Sequence, residues 1–372
     1  MLKLVYVGGL GMMSGPAAIH LTPADSARVM RVHDRGSKGQ QKVSFRLAWR
    51  EHGAQLVPDF EQLVGDGDLD GVVVCAGKNG DDLPIIAHLT RLLQARCSHP
   101  VFILHLSTVG PPFVEAATRF CRQAGIGYAN YPLTGGPLGA MLGGGDPKGM
   151  LILASGERPL YERLLPMLQK LGHPRFFGEA PAAGAVTKLI GQHLVFNGLT
   201  GISSATALYA AQFNQHQIGG EDQVDYLAFL NGGAGGTRQW DVAMKKGVEE
   251  DNWKAGFSIN HAVVDAIYAA RLAIDSGLPR FNVQPIIDVA FAFSYLLQRY
   301  PDDTLATHAV VREMVGPQAA ALDRFMTDQG AFGASVEESL AACIGSLPGQ
   351  VQGTVWMSPT LEEFEQAAAE AP

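Results

Sequence analysis

A chain of 372 residues, 47% hydrophobic and 17% charged, holds ample apolar material for two packed domains. Its formal net charge of -8, without any run of Lys or Arg, argues against a nucleic-acid partner and against an anionic membrane surface. The four cysteines, Cys75, Cys97, Cys121 and Cys343, form no Cys-x-x-Cys pair and no zinc-like spacing with histidine, so free thiols, a reducing cytoplasmic setting and no metal are expected.

In chain order, residues 2–7 form a short apolar β-type run followed at once by glycines. Lys3 ahead of that run imitates a signal peptide, but cleavage there would remove the glycines, so an uncleaved start is expected. Residues 14–21 read as a helix that stops at Thr22-Pro23, because proline disfavours helix in the residue before it. Residues 28–33, 71–76, 101–106, 127–131 and 150–154 read as further strands, with helical patterns over 83–96 and 112–124. Continuous Val/Ile/Leu strands alternating with helices predict a parallel sheet covered on both faces.

After about Pro181 only helices are predicted: 185–213, 223–230, 239–247, 259–276, 283–299 and 318–327. Residues 189–220 carry no formal charge and are numerous enough to span a bilayer. They include Gln192, His193, Asn197, Gln212, Asn214 and Gln215, which are costly in lipid, so a buried helix is expected instead. The expected organisation is an α/β domain over 1–182, an all-helical domain over 183–345 joined by that long helix, and a tail over 346–372. The tail is Gly/Pro-rich and closes with an acidic helix-like stretch over 360–370, for which the sequence suggests no role.

The first strand ends in Gly8-Gly9-Leu10-Gly11-Met12-Met13-Ser14. Gly9 and Gly11 fit the first two positions of G-x-G-x-x-G, a loop whose glycines allow a tight strand-to-helix turn and close approach of a pyrophosphate to the backbone. Ser14 takes the third position and is small enough for close packing. Asp34 ends the next strand, where an acidic side chain hydrogen-bonds the adenosine ribose of NAD. Arg35, with Ser37 or Lys38, is instead suited to the 2′-phosphate of NADP. The plainer alternative for Asp34-Arg35 is a solvated turn. The cofactor is read as NAD or NADP, with NAD ahead.

The segment 9–16, Gly-Leu-Gly-Met-Met-Ser-Gly-Pro, resembles the opening G-L-G-x-M-G-x-P of the β-hydroxyacid dehydrogenases, the group of hydroxyisobutyrate dehydrogenase, tartronate semialdehyde reductase and, more distantly, 6-phosphogluconate dehydrogenase. Three further segments follow in the family's order: Ser107-Thr108 at a strand end, Tyr131-Pro132-Leu133-Thr134-Gly135-Gly136 for A-P-V-S-G-G, and residues 184–192 for G-x-x-x-K-x-x-N-N. The resemblance reaches from the N-terminus to about residue 300. It implies a Rossmann-type doubly wound sheet followed by an all-α domain, and a homodimer or tetramer built through the helical domains.

It also implies hydride exchange between NAD(P) and a small hydroxy acid or its aldehyde or keto form, with Lys188 as the acid/base. Lys188 is the only charge between Glu179 and Glu221, and an ammonium group on a largely buried helix is expensive without a purpose. A lysine snorkelling from the helix's first turn is the alternative. Gln192 lies one helical turn on and faces the same way, as a substrate contact or a structural amide. Thr134 with the amides of Gly135 and Gly136 suits a substrate carboxylate. Ser107 and Thr108 suit the nicotinamide ribose or the substrate, or else an N-cap before Pro111. Leu10, Met12 and Met13 complete the cofactor loop, and Asp265 is carried over to the cofactor site.

Three departures stand out: Thr134 for serine, Gly191-Gln192 for paired asparagines, and Val264 for the lysine beside Asp265. The altered Gln192 and Val264 leave open an imine or bulkier carbonyl as substrate; a dinucleotide-binding sensor without turnover is the rival from another class, against which the retained Lys188 and Thr134 argue.

Overall fold

The computed structural model describes residues 1–21, 27–36, 40–76 and 80–371. The predicted helix stop at Thr22-Pro23 and the 2′-phosphate candidates Ser37 and Lys38 lie outside the described residues. Two compact units emerge, Met1–Lys188 together with Trp356–Pro372, and Leu189–Val355.

In the first unit, strands β1 (Leu2–Val7), β2 (Ala27–His33), β3 (Gln55–Val57), β4 (Gly71–Val74), β5 (Phe102–His105) and β6 (Gly127–Asn130) form one sheet in the order β3-β2-β1-β4-β5-β6. Every pairing is parallel. This is the Rossmann-type doubly wound arrangement. Side chains alternate between its faces: Leu4 and Tyr6 of β1 join one apolar cluster, Val5 and Val7 the other. Burial on both sides is why β1, β4 and β5 are largely apolar runs. The strand order reverses between β1 and β4, which opens a crevice beyond their carboxyl ends.

The helices of this unit are α1 (Ala17–His20), α2 (Gln40–Glu51), α3 (Phe60–Val64), α4 (Asp82–Arg96), α5 (Pro111–Gln123), α6 (Gly136–Leu142) and α7 (Arg158–Leu171). The first is far shorter than the sequence pattern suggests, because the chain from Gly11 to Pro16 runs in turns before it becomes helical. Phe45 and Trp49, one helical turn apart on α2, pack on one face of the sheet with Leu164 and Leu168 of α7. Leu89 and Leu93 of α4 and Phe113 of α5 cover the other face.

The predicted strand over 150–154 forms, but outside the main sheet. β7 (Leu133–Thr134), β8 (Leu151–Ala154) and β9 (His173–Phe176) make a separate three-stranded sheet, antiparallel between the first pair and parallel between the second. Tyr131 N–H still donates to the His105 carbonyl at 2.8 Å, but Pro132 after it has no N–H to continue a ladder, so the chain leaves the main sheet there. Its carbonyl instead accepts the Leu153 N–H at 3.1 Å.

Helix α8 (Ala183–Phe213) begins in the first unit and continues into the second beyond Lys188. The second unit then comprises α9 (Glu221–Asn231), α10 (Lys245–Glu250), α11 (Ile259–Asp275), α12 (Arg280–Arg299), α13 (Gly316–Asp328), α14 (Val336–Gly345) and α15 (Gly349–Gln352). Among the described residues it is all-helical apart from an isolated bridge between Ser258 and Ala306. The span read as one helix over 239–247 is a π-helical turn, Trp240–Met244, leading into α10. Helix α8 is buried on one side only, with Ile190, Leu194 and Leu208 exposed on the other, so its lack of charge does not mean full burial. No helix among the described residues is long and apolar enough to cross a membrane.

The acidic C-terminal stretch has a structural place. Helix α16 (Leu361–Glu370) returns to the first unit and packs on α4 and α5. Thr360 and Glu363 close a capping box at its start. Its Phe364 is fully buried, with its ring 5.5 Å from that of Phe113 and 5.3 Å from that of Phe120.

Candidate functional site

The glycine loop lies at the carboxyl end of β1, over the reversal point of the sheet. The left-handed turn falls on Gly8 (φ +81°), one residue before the first fingerprint glycine, and a Cβ there would stand 2.2 Å from the Cys75 carbonyl oxygen. Gly9 is small for a different reason: a Cβ would meet Val32 Cγ1 at 2.6 Å, while its carbonyl accepts the Trp49 indole N–H at 2.7 Å. Gly15, rather than Ser14, gives the close packing, since a Cβ there would sit 2.2 Å from the Phe45 ring. Ser14 Oγ–H instead donates to the Gly8 carbonyl and braces the loop. Gly11 differs from all of these, because a Cβ would meet only its own loop, Ser14 Oγ at 3.0 Å and Gly8 O at 3.4 Å. Packing against the rest of the fold does not demand a glycine at 11. In the same loop Leu10 is buried, Met13 half-buried and Met12 exposed.

Asp34 is tied to this loop. Its carboxylate accepts the Leu10 N–H at 3.1 Å and the Gly36 N–H at 2.9 Å, and Lys42 Nζ stands 3.5 Å away. The bond to Gly36 closes a turn with Arg35 at its apex. The Arg35 guanidinium is ion-paired with Asp81, at the start of α4. The loop thus has a bare glycine backbone, the Asp34 carboxylate next to it and the Arg35 guanidinium beyond.

Ser107 and Thr108 emerge from the end of β5, both half-buried. The Ser107 hydroxyl donates to the Ala76 carbonyl, and its own carbonyl accepts Asn130 Nδ2–H at 3.0 Å, so it cross-links the strand ends. The N-cap alternative for this pair does not hold: the cap of α5 is Gly110, without a side-chain bond. Thr134 ends β7, and Gly135 (φ +130°) and Gly136 (φ +67°) follow in conformations that favour glycine. Both glycines are exposed.

Lys188 is only 8% exposed on α8. In the second unit Gln192 and Asp265 are both buried, and the Gln192 amide N–H donates to the Asp265 carboxylate. Arg238, by contrast, is exposed. The thiols are unpaired, and burial pushes those of Cys75 and Cys121 up to about 12, where they are protonated and inert at neutral pH.

Sequence reasoning missed Gly8, Gly15, Trp49 and Asp81. The first two carried a signal, being glycines directly beside the fingerprint. Trp49 and Asp81 carried none, since their partners lie 40 and 46 positions away in the chain.

Residues 5–190, half of the chain, match the family described as the NAD binding domain of 6-phosphogluconate dehydrogenase. An uncharacterized oxidoreductase of Synechocystis sp. is 24% identical over 278 residues, which is 74% of this chain and 87% of that protein. The 3-hydroxyisobutyrate dehydrogenase of Salmonella typhimurium shares the fold with a TM-score of 0.65 at 16% identity, covering 84% of this chain and 99% of that one. Its counterpart from Mycobacterium tuberculosis gives 0.62 at 17% identity, covering 85% and 100%.

Proposed function

We propose that this chain, which belongs to the family of the NAD binding domain of 6-phosphogluconate dehydrogenase, interconverts a small β-hydroxy acid and its aldehyde or keto form. The coarser statement, an NAD(P)-binding oxidoreductase, follows from the family itself. The finer one rests on a single observation, the Lys188 ammonium held 8% exposed on an otherwise uncharged helix.

The dinucleotide, when bound, supplies or accepts the hydride. The chain's residues handle the proton and the substrate. Lys188 in its neutral form takes the hydroxyl proton as the C–H bond breaks, and as ammonium returns it in the reductive direction. Gln192 is proposed as a substrate contact through its amide, and within the second unit one N–H of that amide is fixed by Asp265. Thr134, Gly135 and Gly136 offer a hydroxyl and two amides to the carboxylate. Gly9 to Met13 carry the pyrophosphate, Asp34 and Arg35 face the adenosine ribose, and Ser107 and Thr108 lie toward the nicotinamide end.

The test is Lys188→Met with NADH and NADPH fluorescence titrations alongside turnover on a panel of hydroxy acids. Turnover lost with dinucleotide affinity intact is expected. Unchanged turnover removes Lys188 from the mechanism.

The protein is also proposed to act as a homodimer or tetramer. On α8 the residues Ile190, Leu194, Asn197, Gly201, Ser204, Leu208 and Ala211 are all exposed, at alternating intervals of four and three. Such a seam suits a second copy of the same uncharged helix. Leu194→Glu with light scattering tests it, and an unchanged mass argues against that face.

A further inference from the structure

Arg35 and Asp81 lie 46 positions apart in the chain, yet their side chains form an ion pair. Both are held by backbone that has little freedom. Arg35 sits at the apex of the turn closed by Asp34 Oδ1 and the Gly36 N–H at 2.9 Å. Asp81 follows Gly80, whose carbonyl accepts the Trp356 indole N–H at 2.6 Å, and its own carbonyl accepts the Ile85 N–H at 3.0 Å in the first turn of α4.

We propose that Asp81 is a specificity-determining residue, which makes the glycine loop accept the dinucleotide with a free 2′-hydroxyl, NAD, and reject the 2′-phosphorylated form, NADP. This rests on the reading above that Asp34 and Arg35 face the adenosine ribose.

The ion pair alone would discriminate little. Arg35 is 57% exposed on its side chain, and exposed pairs contribute only about 0–1 kcal/mol, so a phosphate could recruit the guanidinium readily. The discrimination comes from what stays behind. The Asp81 side chain is 18% exposed and its backbone is anchored, so the carboxylate remains beside any group that binds Arg35. A 2′-phosphate brings about 1.5–2 negative charges at neutral pH. It would lie with Asp34 on one side and Asp81 on the other.

Among the described residues, the nearby cations do not offset them. Lys42 is already directed to Asp34 and to the Gly36 carbonyl at 3.0 Å. Among the described residues, the two cations, Arg35 and Lys42, are thus already engaged by the carboxylates of Asp81 and Asp34. Like charges brought together in a site disfavour a competitor. A ribose hydroxyl carries no charge and meets no such penalty. Asp34 accepts its hydrogen bond with a lone pair its present partners leave over.

The experiment titrates wild type, Asp81→Asn and Asp81→Ser with NADH and NADPH by fluorescence. Asn and Ser are both good helix N-caps, so α4 retains its start in either variant. Wild type is expected to bind NADH at least about tenfold more tightly than NADPH. Each variant is expected to tighten NADPH relative to NADH by about tenfold or more, and Arg35→Ala in the variant background to abolish that gain. A wild-type preference for NADPH, or a ratio unmoved in both variants, overturns the inference while leaving the dinucleotide reading intact. Wild type binding neither dinucleotide overturns both.

Discussion

The Gln192 amide donates to the Asp265 carboxylate, and both groups are buried in the second unit. A glutamine that is meant to hold a substrate has three soft torsions and needs such an anchor. The family pattern assigns Asp265 to the cofactor. The observed bond offers it a second task, holding Gln192 in one orientation. The two roles separate in kinetics. If Asp265 acts through Gln192, Asp265→Ala raises KM and lowers kcat/KM about 10–100-fold, the usual range for a partner behind a ligand group, while NADH affinity holds. If it touches the cofactor, dinucleotide affinity falls as well. Titration and steady-state kinetics on one preparation distinguish them.

The glycine loop makes a sharper prediction, because its glycines are required for different reasons. Gly8→Ala places a methyl 2.2 Å from the Cys75 carbonyl in a left-handed backbone (φ +81°). That is expected to cost at least about 2 kcal/mol in urea unfolding. Gly11→Ala meets nothing outside its own loop, so stability should change by less than about 1 kcal/mol. NADH affinity should nevertheless fall about tenfold or more, since the methyl occupies the approach to the backbone. A Gly11→Ala protein that binds as wild type would show that the loop does not carry the phosphates.

These glycines also mark the limit of sequence reading. A run of small residues after an apolar strand announces a ligand loop, but not which glycine turns and which is approached. The same limit applies to the elements. β1, β4 and β5 were legible because burial on both faces leaves largely apolar runs. Helix α2 was not, because Val43, Phe45, Leu47 and Trp49 alternate like a strand while only Phe45 and Trp49 are buried. Strand β9, His-Pro-Arg-Phe, has no apolar run at all and forms by pairing with β8. The Arg35–Asp81 pair joins distant segments, and no local pattern encodes such a meeting. Lys188, in contrast, was conspicuous as the one charge in a long uncharged stretch.

The C-terminal helix is expected to be part of the first unit's stability rather than a dispensable tail. Phe364 is fully buried between Phe113 and Phe120. Phe364→Ala should cost about 3–5 kcal/mol, the range for a large aromatic removed from a core. Ending the chain at Val355 should also expose the α4–α5 face and free the Gly80 carbonyl held by Trp356. Urea unfolding of both variants checks this, and a midpoint within error of wild type would show that α16 is only loosely seated.

Acid should destabilise the second unit through His308. The ring is fully buried, with Nε2 2.8 Å from the Asn252 carbonyl. That nitrogen carries the proton, so Nδ1 is the site left to titrate, and it is buried without a hydrogen-bond partner. Burial lowers the pKa of His308; the Asn252 carbonyl works against this and the Lys246 charge adds to it. An imidazole in the unfolded chain titrates near 6.5. Below that pH the unfolded state binds the proton first, so stability is fully present above about pH 6.5 and declines as pH falls toward the lowered folded value. The slope from one such group reaches about 1.4 kcal/mol per pH unit. His88 in the first unit is lowered in the same direction by burial, against the pull of Glu61, and adds to the trend. Urea midpoints measured from pH 7.5 to 5 should therefore fall, and His308→Gln, which cannot take up the proton, should show the shallower slope. Parallel slopes in the two proteins would mean that the His308 imidazole takes up its proton equally readily in the folded and unfolded states, and that burial does not lower its pKa.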